Sequence, residues 1–203
     1  MVNKKNENTE SLILEAAKRI FQAKGMDGAR MQEIANEAGI NKAMLHYYFR
    51  SKQLLFEAVF KNAFSLLAPQ LNTVLNDDSS IEEKVRNFSS NYISFIAEHP
   101  YLPNFIIQEL NRSPDFILKM KESSVFPSLK KFKKQVDFEV EKGFIKKIKA
   151  EQLFINILAL NVFPFIGKPL IQNLIDADDA DFQQIIEDRK TEVANFIINS
   201  IKK

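Results

Sequence analysis

Apolar residues recur along this chain at intervals of three and four, and no segment alternates convincingly with a period of two. Leu12, Ile13, Ala16, Ile20 and Phe21 share one face of a helix predicted over 9–23, which Gly25 stops. Ile34, Ala35, Gly39, Ile40 and Leu45 then follow the spacing of a helix-turn-helix. Ala35 must be small because the second helix crosses close to the first, and Gly39 permits the positive φ of a sharp turn. Ile34, Ile40 and Leu45 fill the wedge between the helices, which leaves Lys42, Ala43, His46 and Tyr47 facing outward.

Leu55, Val59, Phe60, Ala63 and Leu67 mark the inward face of a long fourth helix over 51–75, with Pro69 as a candidate kink. Ser79-Ser80-Ile81-Glu82 reads as a capping box that opens a fifth helix ending near His99-Pro100. A sixth helix is predicted over 102–111. Ser113-Pro114 opens a seventh in the N-cap and N1 pairing, broken at Pro127 and ending at Gly143. An eighth, over 150–163, is apolar nearly all round, so it must be buried on more than one side. Asp181 caps a ninth, striped by Phe182, Ile185, Ile186, Val193, Phe196, Ile197 and Ile201. The pattern predicts an all-α chain of nine helices.

A basic, aromatic and weakly apolar outer face on a short helix is poorly explained by core packing and suits a DNA major groove. Tyr47 and Tyr48 are adjacent, so they diverge by about 100° and cannot both share the buried face with Phe49. Asn41 is placed to cap this helix. Lys52 falls in the first turn of the fourth helix, where a cation is electrostatically misplaced unless an anion is present. Arg30 stands in the same position at the start of the second helix.

At these residues the chain resembles the DNA-binding domain of the tetracycline-repressor (TetR) family of bacterial regulators. The resemblance runs from about Leu12 to Phe60. It rests on Gly25, Ile34-Ala35, Ala38-Gly39, the aromatic cluster His46-Tyr47-Tyr48-Phe49, and Ser51-Lys52 with Leu55. The sequence departs from the family at Ala29 and Arg30, where Thr or Ser caps are usual, at Ala43 for Gly, and at His46 for Tyr. The resemblance implies a three-helix DNA-binding domain over 1–50 and a helical ligand-binding and dimerisation domain over 51–203. The DNA-contact set is then Arg30, Asn41, Lys42, Ala43, Met44, His46, Tyr47, Tyr48 and Lys52.

Charge and composition narrow the alternatives. Net charge is +2, but residues 1–52 hold nine Lys or Arg against six Asp or Glu, an excess that suits phosphate binding. The chain has no Cys and only two His, His46 and His99, which excludes a disulfide framework and argues against a transition-metal centre. Without a Gly-rich phosphate loop or paired catalytic carboxylates, no enzyme and no cofactor are expected. The N-terminus lacks a signal-like segment, and Asn, Gln or Pro interrupts the apolar runs short of a membrane span. A cytoplasmic location, away from membranes, is the expectation. The lysines over 130–149 read as a solvated face, and the aspartates over 176–181 as a polar connector.

The family resemblance places a ligand pocket on the fifth to seventh helices, where Phe88, Asn91, Tyr92, Phe95, Phe105, Gln108 and Phe116 are candidates. It packs the last two helices against their symmetry mates, with Phe154, Leu158, Val193, Phe196 and Ile197 at the dimer interface. The expected protein is a homodimeric transcriptional regulator, a repressor that leaves a near-palindromic operator in double-stranded DNA when a small molecule binds. The alternative is a helical ligand-binding or scaffold protein whose helix-turn-helix no longer binds DNA.

Overall fold

The computed structural model describes residues 2–112 and 127–203. The described residues form ten helices and no strand: α1 (Val2–Gly28), α2 (Met31–Glu37), α3 (Lys42–Tyr48), α4 (Lys52–Asn76), α5 (Ile81–Glu98), α6 (Leu102–Arg112), α7 (Lys130–Glu141), α8 (Ala150–Ile166), α9 (Lys168–Leu174) and α10 (Asp179–Ile201). None of these helices alone is long and apolar enough to cross a membrane. The chain divides into two compact units, 1–65 and 66–203, with the division within α4. The first half of α4 belongs to the N-terminal unit because its apolar face packs there. The Phe56 ring meets the Phe21 ring of α1 edge-on, with centroids 4.9 Å apart.

In the N-terminal unit Ile13, Ala16, Ala17 and Phe21 of α1 are buried, as are Ile34, Ala35, Leu45, Leu55 and Phe60. Leu12, expected inside, is exposed, and Ala17 takes its place on the buried stripe. Gly25 breaks α1 with φ +66°, the stop its position predicts.

Several element ends differ from expectation by one turn or less. The box that opens α5 is Ser80 with Glu83, not Ser79 with Glu82: the Ser80 hydroxyl accepts from the Glu83 backbone, and the Glu83 carboxylate accepts from Ser80 N. Asp178, not Asp181, caps α10, accepting from Ala180 N and Asp181 N at 2.8 and 2.9 Å. α4 runs on through Pro69. The additional helix is α9, which the apolar periodicity does not predict. The seventh helix expected from Ser113 lies partly outside the described residues.

In the C-terminal unit α10 packs along α5, and α8 lies against both. Ile93, Phe182 and Ile186 form a core cluster, with Phe165 and Ile171 packed on it. α8 passes through Pro164 to Ile166. Proline has no N–H, so the Leu160 carbonyl loses the donor that residue 164 normally supplies. Arg189 of α10 replaces it, donating to Leu160 O at 2.6 Å. Arg189→Met should therefore destabilise the protein by about 1–3 kcal/mol in urea unfolding. Adding Pro164→Ala, which restores the helical donor, should recover most of that loss.

Candidate nucleic-acid interface

The turn between α2 and α3 ends in a Schellman motif. Gly39 N donates to Asn36 O at 3.1 Å and Ile40 N to Ala35 O at 3.0 Å, with Gly39 at φ +68°. Asn41 then takes the extended conformation of an N-cap, and its side-chain oxygen accepts from Met44 N at 2.7 Å. Leu45 is fully buried and anchors α3. Phe49, buried at the C-cap, closes the helix with its N–H on Leu45 O at 2.8 Å.

This anchoring fixes what α3 shows to solvent. Lys42, Ala43, Met44, His46 and Tyr47 are all exposed, as is the cap Asn41. Tyr47 is 78% exposed, while Tyr48 is half-buried with its ring edge-on to Tyr47 at 5.5 Å. So large an exposed aromatic, held on a rigid helix beside lysine and histidine, has no packing task within its unit. Arg50, exposed just beyond α3, adds a cation that the sequence reading did not include; its charge beside the aromatic cluster was the available signal.

Arg30 is exposed at the N-cap of α2 and makes no side-chain cap. In the first turn of α2 the Glu33 carboxylate takes Lys24 Nζ at 3.1 Å. The hydrogen bond from Lys24, assisted by the Arg30 backbone N–H, holds the Glu33 carboxyl below its usual range. Arg19 makes a second tie, to Glu37 at 2.8 Å. Both pairs link α1 to α2, and as partly exposed pairs each contributes little stability.

Lys52 lies within reach of backbone carbonyls of its own unit. Its ammonium donates to Ala29 O at 3.0 Å and to Asp27 O at 3.3 Å. The cation at the start of α4 is thus matched by carbonyls of the α1–α2 corner, and its presence requires no external anion. Lys52→Met should lower the stability of the protein by about 1–2 kcal/mol in urea unfolding, because it leaves two carbonyls without their donor.

The described ligand candidates differ in their exposure. Phe88, Tyr92 and Phe105 are buried, and burial pushes the Tyr92 phenol well above its usual value. Phe95 is half-buried against the His99 ring at 4.8 Å. Asn91 and Gln108 are exposed. Phe116 lies outside the described residues.

The interface candidates also separate. Val193 and Ile197 are buried within their own unit, because with Ala194, Ile198 and Ile201 they form the stripe of α10 that packs inward. Phe154 and Leu158 are half-buried, Phe154 meeting the Phe132 ring of α7 at 6.2 Å. Phe196 is 66% exposed, and Ile155 and Phe163 of α8 join it as exposed apolar groups that the sequence reading missed. They escaped notice because α8 is apolar all round, so periodicity cannot say which side is free.

Comparison with known proteins places these features. Residues 13–59 match the family model of bacterial regulatory proteins of the tetR family. The "Probable HTH-type transcriptional regulator YttP" of Bacillus subtilis (strain 168) is 28% identical over 127 residues, covering 59% of this chain and 61% of the relative. The HTH-type transcriptional repressor NicS of Pseudomonas putida is 26% identical over 103 residues, covering 51% and 49%. The chain therefore spans about half to three-fifths of the length of these relatives. In fold, the crystal structure of a TetR family transcription regulator from Marinobacter aquaeolei VT8 superposes with a TM-score of 0.70 at 17% identity, covering 99% of each chain.

Proposed function

Taking the chain as a member of the tetR family of bacterial regulatory proteins, we propose that it is a sequence-specific DNA-binding transcriptional regulator, a repressor that acts as a homodimer in the cytoplasm. The observation that carries this reading is the outer face of α3, where Lys42, Met44, His46 and Tyr47 are exposed on a helix locked by Asn41 and Leu45. Two such helices from a dimer would enter successive major grooves about 34 Å apart on a near-palindromic operator. Lys42, Arg30 and the tyrosine hydroxyls serve as phosphate ligands, while Ala43, Met44 and the Tyr47 ring edge offer apolar contact to thymine methyl groups.

Homodimerisation is supported by Ile155, Phe163 and Phe196, large apolar groups left exposed on α8 and α10. A small molecule bound in the C-terminal unit would release the repressor if it binds the non-operator conformation better than the operator-bound one. Selection of bound fragments from the source genome, followed by titration at several salt concentrations, tests the DNA reading. A log-log salt slope that falls by about one per neutralised phosphate in Lys42→Ala is the expected result. Binding that ignores salt, or that is the same for every fragment, would reject a sequence-specific regulator.

A further inference from the structure

We propose that the turn after α7, joined by the end of α10, is a docking surface for an anionic phospholipid bilayer. The turn is rigidly built. α7 closes in a Schellman motif: Gly143, at φ +75°, donates to Val140 O at 3.1 Å, and Phe144 N donates to Glu139 O at 2.9 Å. Ile145 is buried and forms an isolated antiparallel bridge with Lys202, and Lys146 N donates to Ile201 O at 2.7 Å. The bridge sets the turn beside the end of α10. A Cβ on Gly143 would lie 2.8 Å from Lys203 Nζ, so that ammonium stands at the turn itself.

This backbone decides what the corner shows. An apolar residue after a closing glycine commonly packs back on its helix, yet the Phe144 ring is 67% exposed. Phe138 is 51% exposed, with the Lys142 ammonium 5.8 Å from its ring centre. On the same two segments Lys142, Lys146, Lys147, Lys149, Lys202 and Lys203 are all exposed. Lys131 and Lys133 of α7 are paired, with Asp78 and Glu151. Among the described residues, none of those six lysines shares an ion pair. Residues 130–149 and 202–203 hold ten lysines against three Asp or Glu, an excess of seven in a chain of net charge +2. The remainder of the chain is net acidic, so the corner is a concentration of charge rather than a share of an even surface.

The chemistry selects among anionic partners. All six cations are lysines, point charges without the planar fork that arginine brings to a single phosphate, so they suit a diffuse field. Phenylalanine has no polar atom and gains most where hydrocarbon lies just beneath the charge. Proteins that follow a nucleic-acid strand do so in a positively charged groove. The cleft beside this turn, which Lys147 and Lys149 line, also carries Asp137, Glu141 and Glu151, and that mixture repels a phosphate strand. An anionic bilayer offers the charge and the hydrocarbon in the required order, and it attracts lysine clusters of this size. Such contact, at the cytoplasmic face of a bilayer, needs no spanning helix and replaces the expectation of a chain away from membranes.

The test is flotation of the full chain with vesicles of phosphatidylcholine alone or mixed with phosphatidylglycerol. Binding is expected only to the mixed vesicles, and it should fall as salt rises. Lys146→Gln/Lys147→Gln should weaken it by about 30-fold, at about fivefold for each lysine. Phe144→Ala should weaken it by about fivefold. All three side chains are exposed, so the helical circular dichroism should not change. A second measurement does not depend on those variants. The chain has no cysteine, so Phe144→Cys takes a single NBD fluorophore, whose emission should rise severalfold on the mixed vesicles as it enters the apolar layer. A wild type that stays unbound, variants that float as it does, or a label as dim as in water would each overturn the proposal. So would a lysine double variant that keeps its vesicle binding but loses affinity for a short DNA duplex of unrelated sequence, because the corner would then belong to nucleic acid.

Discussion

Lys84→Ala should destabilise the protein by about 2–4 kcal/mol, a large loss for a single substitution. Lys84 lies on α5 with its side chain fully buried, which a lysine tolerates only when its charge is matched. Its ammonium donates to the Asp77 carboxylate and, at 2.8 Å, to the Asp77 carbonyl at the end of α4. Neighbouring groups complete the corner: Lys131 reaches Asn76 O at 2.6 Å, Gln135 donates to Ser79 O, and Glu139 accepts from Ile81 N at 3.0 Å. Removing Lys84 takes the donor from the Asp77 carbonyl and the counter-charge from its carboxylate, which keeps only the Ser79 hydrogen bonds. Asp77 is one-third exposed, so water recovers part of the loss, which stays below that for a wholly buried pair.

The same corner gives a pH signature. Burial pushes the Asp77 carboxyl up, but the hydrogen bonds from Lys84 and Ser79 together outweigh it and hold the group below 3.8. A carboxyl depressed on folding contributes its full stabilisation above the unfolded value, and loses it as pH falls through the folded value. Wild-type stability should therefore decline below pH 3.8 with a component that Lys84→Met lacks. Urea unfolding of both proteins from neutral pH downward separates the two curves; parallel curves would mean that the pair carries no linkage.

The parts of this molecule that could be read from the sequence are those set by local backbone chemistry. Gly25 and Gly39 announce the two positive-φ turns of the N-terminal unit, and both are found there at +66° and +68°. Asn41 announces the cap of α3, and Leu45 its buried anchor. The errors arise where a choice between adjacent candidates depends on tertiary contacts. Ser79 and Ser80 are equally good caps in isolation. Ser80 prevails because the Ser79 hydroxyl is already donated to Asp77, at 2.7 Å, in the corner that Lys84 organises.

The surroundings of Lys52 in the candidate site were equally beyond local reading. Its charge at a helix start invites phosphate on local grounds, but the nearby carbonyls of Asp27 and Ala29 come from residues more than twenty positions away. The apolar stripes of α8 and α10 fail for another reason. Periodicity identifies which residues avoid water, not whether they do so against their own chain or another. Val193 and Phe196 belong to the same predicted stripe, yet one is buried in its own unit and the other is open.

Tyr47→Ala should reduce operator affinity by about 10–100-fold for each recognition helix, and a dimer that uses two helices on one operator suffers the loss twice. The expectation rests on the separation of duties within α3. Leu45 and Phe49 supply the packing, Asn41 supplies the cap, and Tyr47 is left with its ring in solvent, edge-on to Tyr48. The substitution should therefore change the urea midpoint very little, since it empties no cavity and strands no buried donor. Tyr48→Ala is the informative companion. Tyr48 is half-buried, so its loss should lower stability as well as affinity. Fluorescence anisotropy with a selected operator fragment, read beside urea unfolding, distinguishes these outcomes. A Tyr47→Ala protein that keeps both its stability and its wild-type affinity would show that α3 does not place this ring at the DNA. The recognition surface would then have to be sought around Arg30 and Arg50, exposed cations of the same unit.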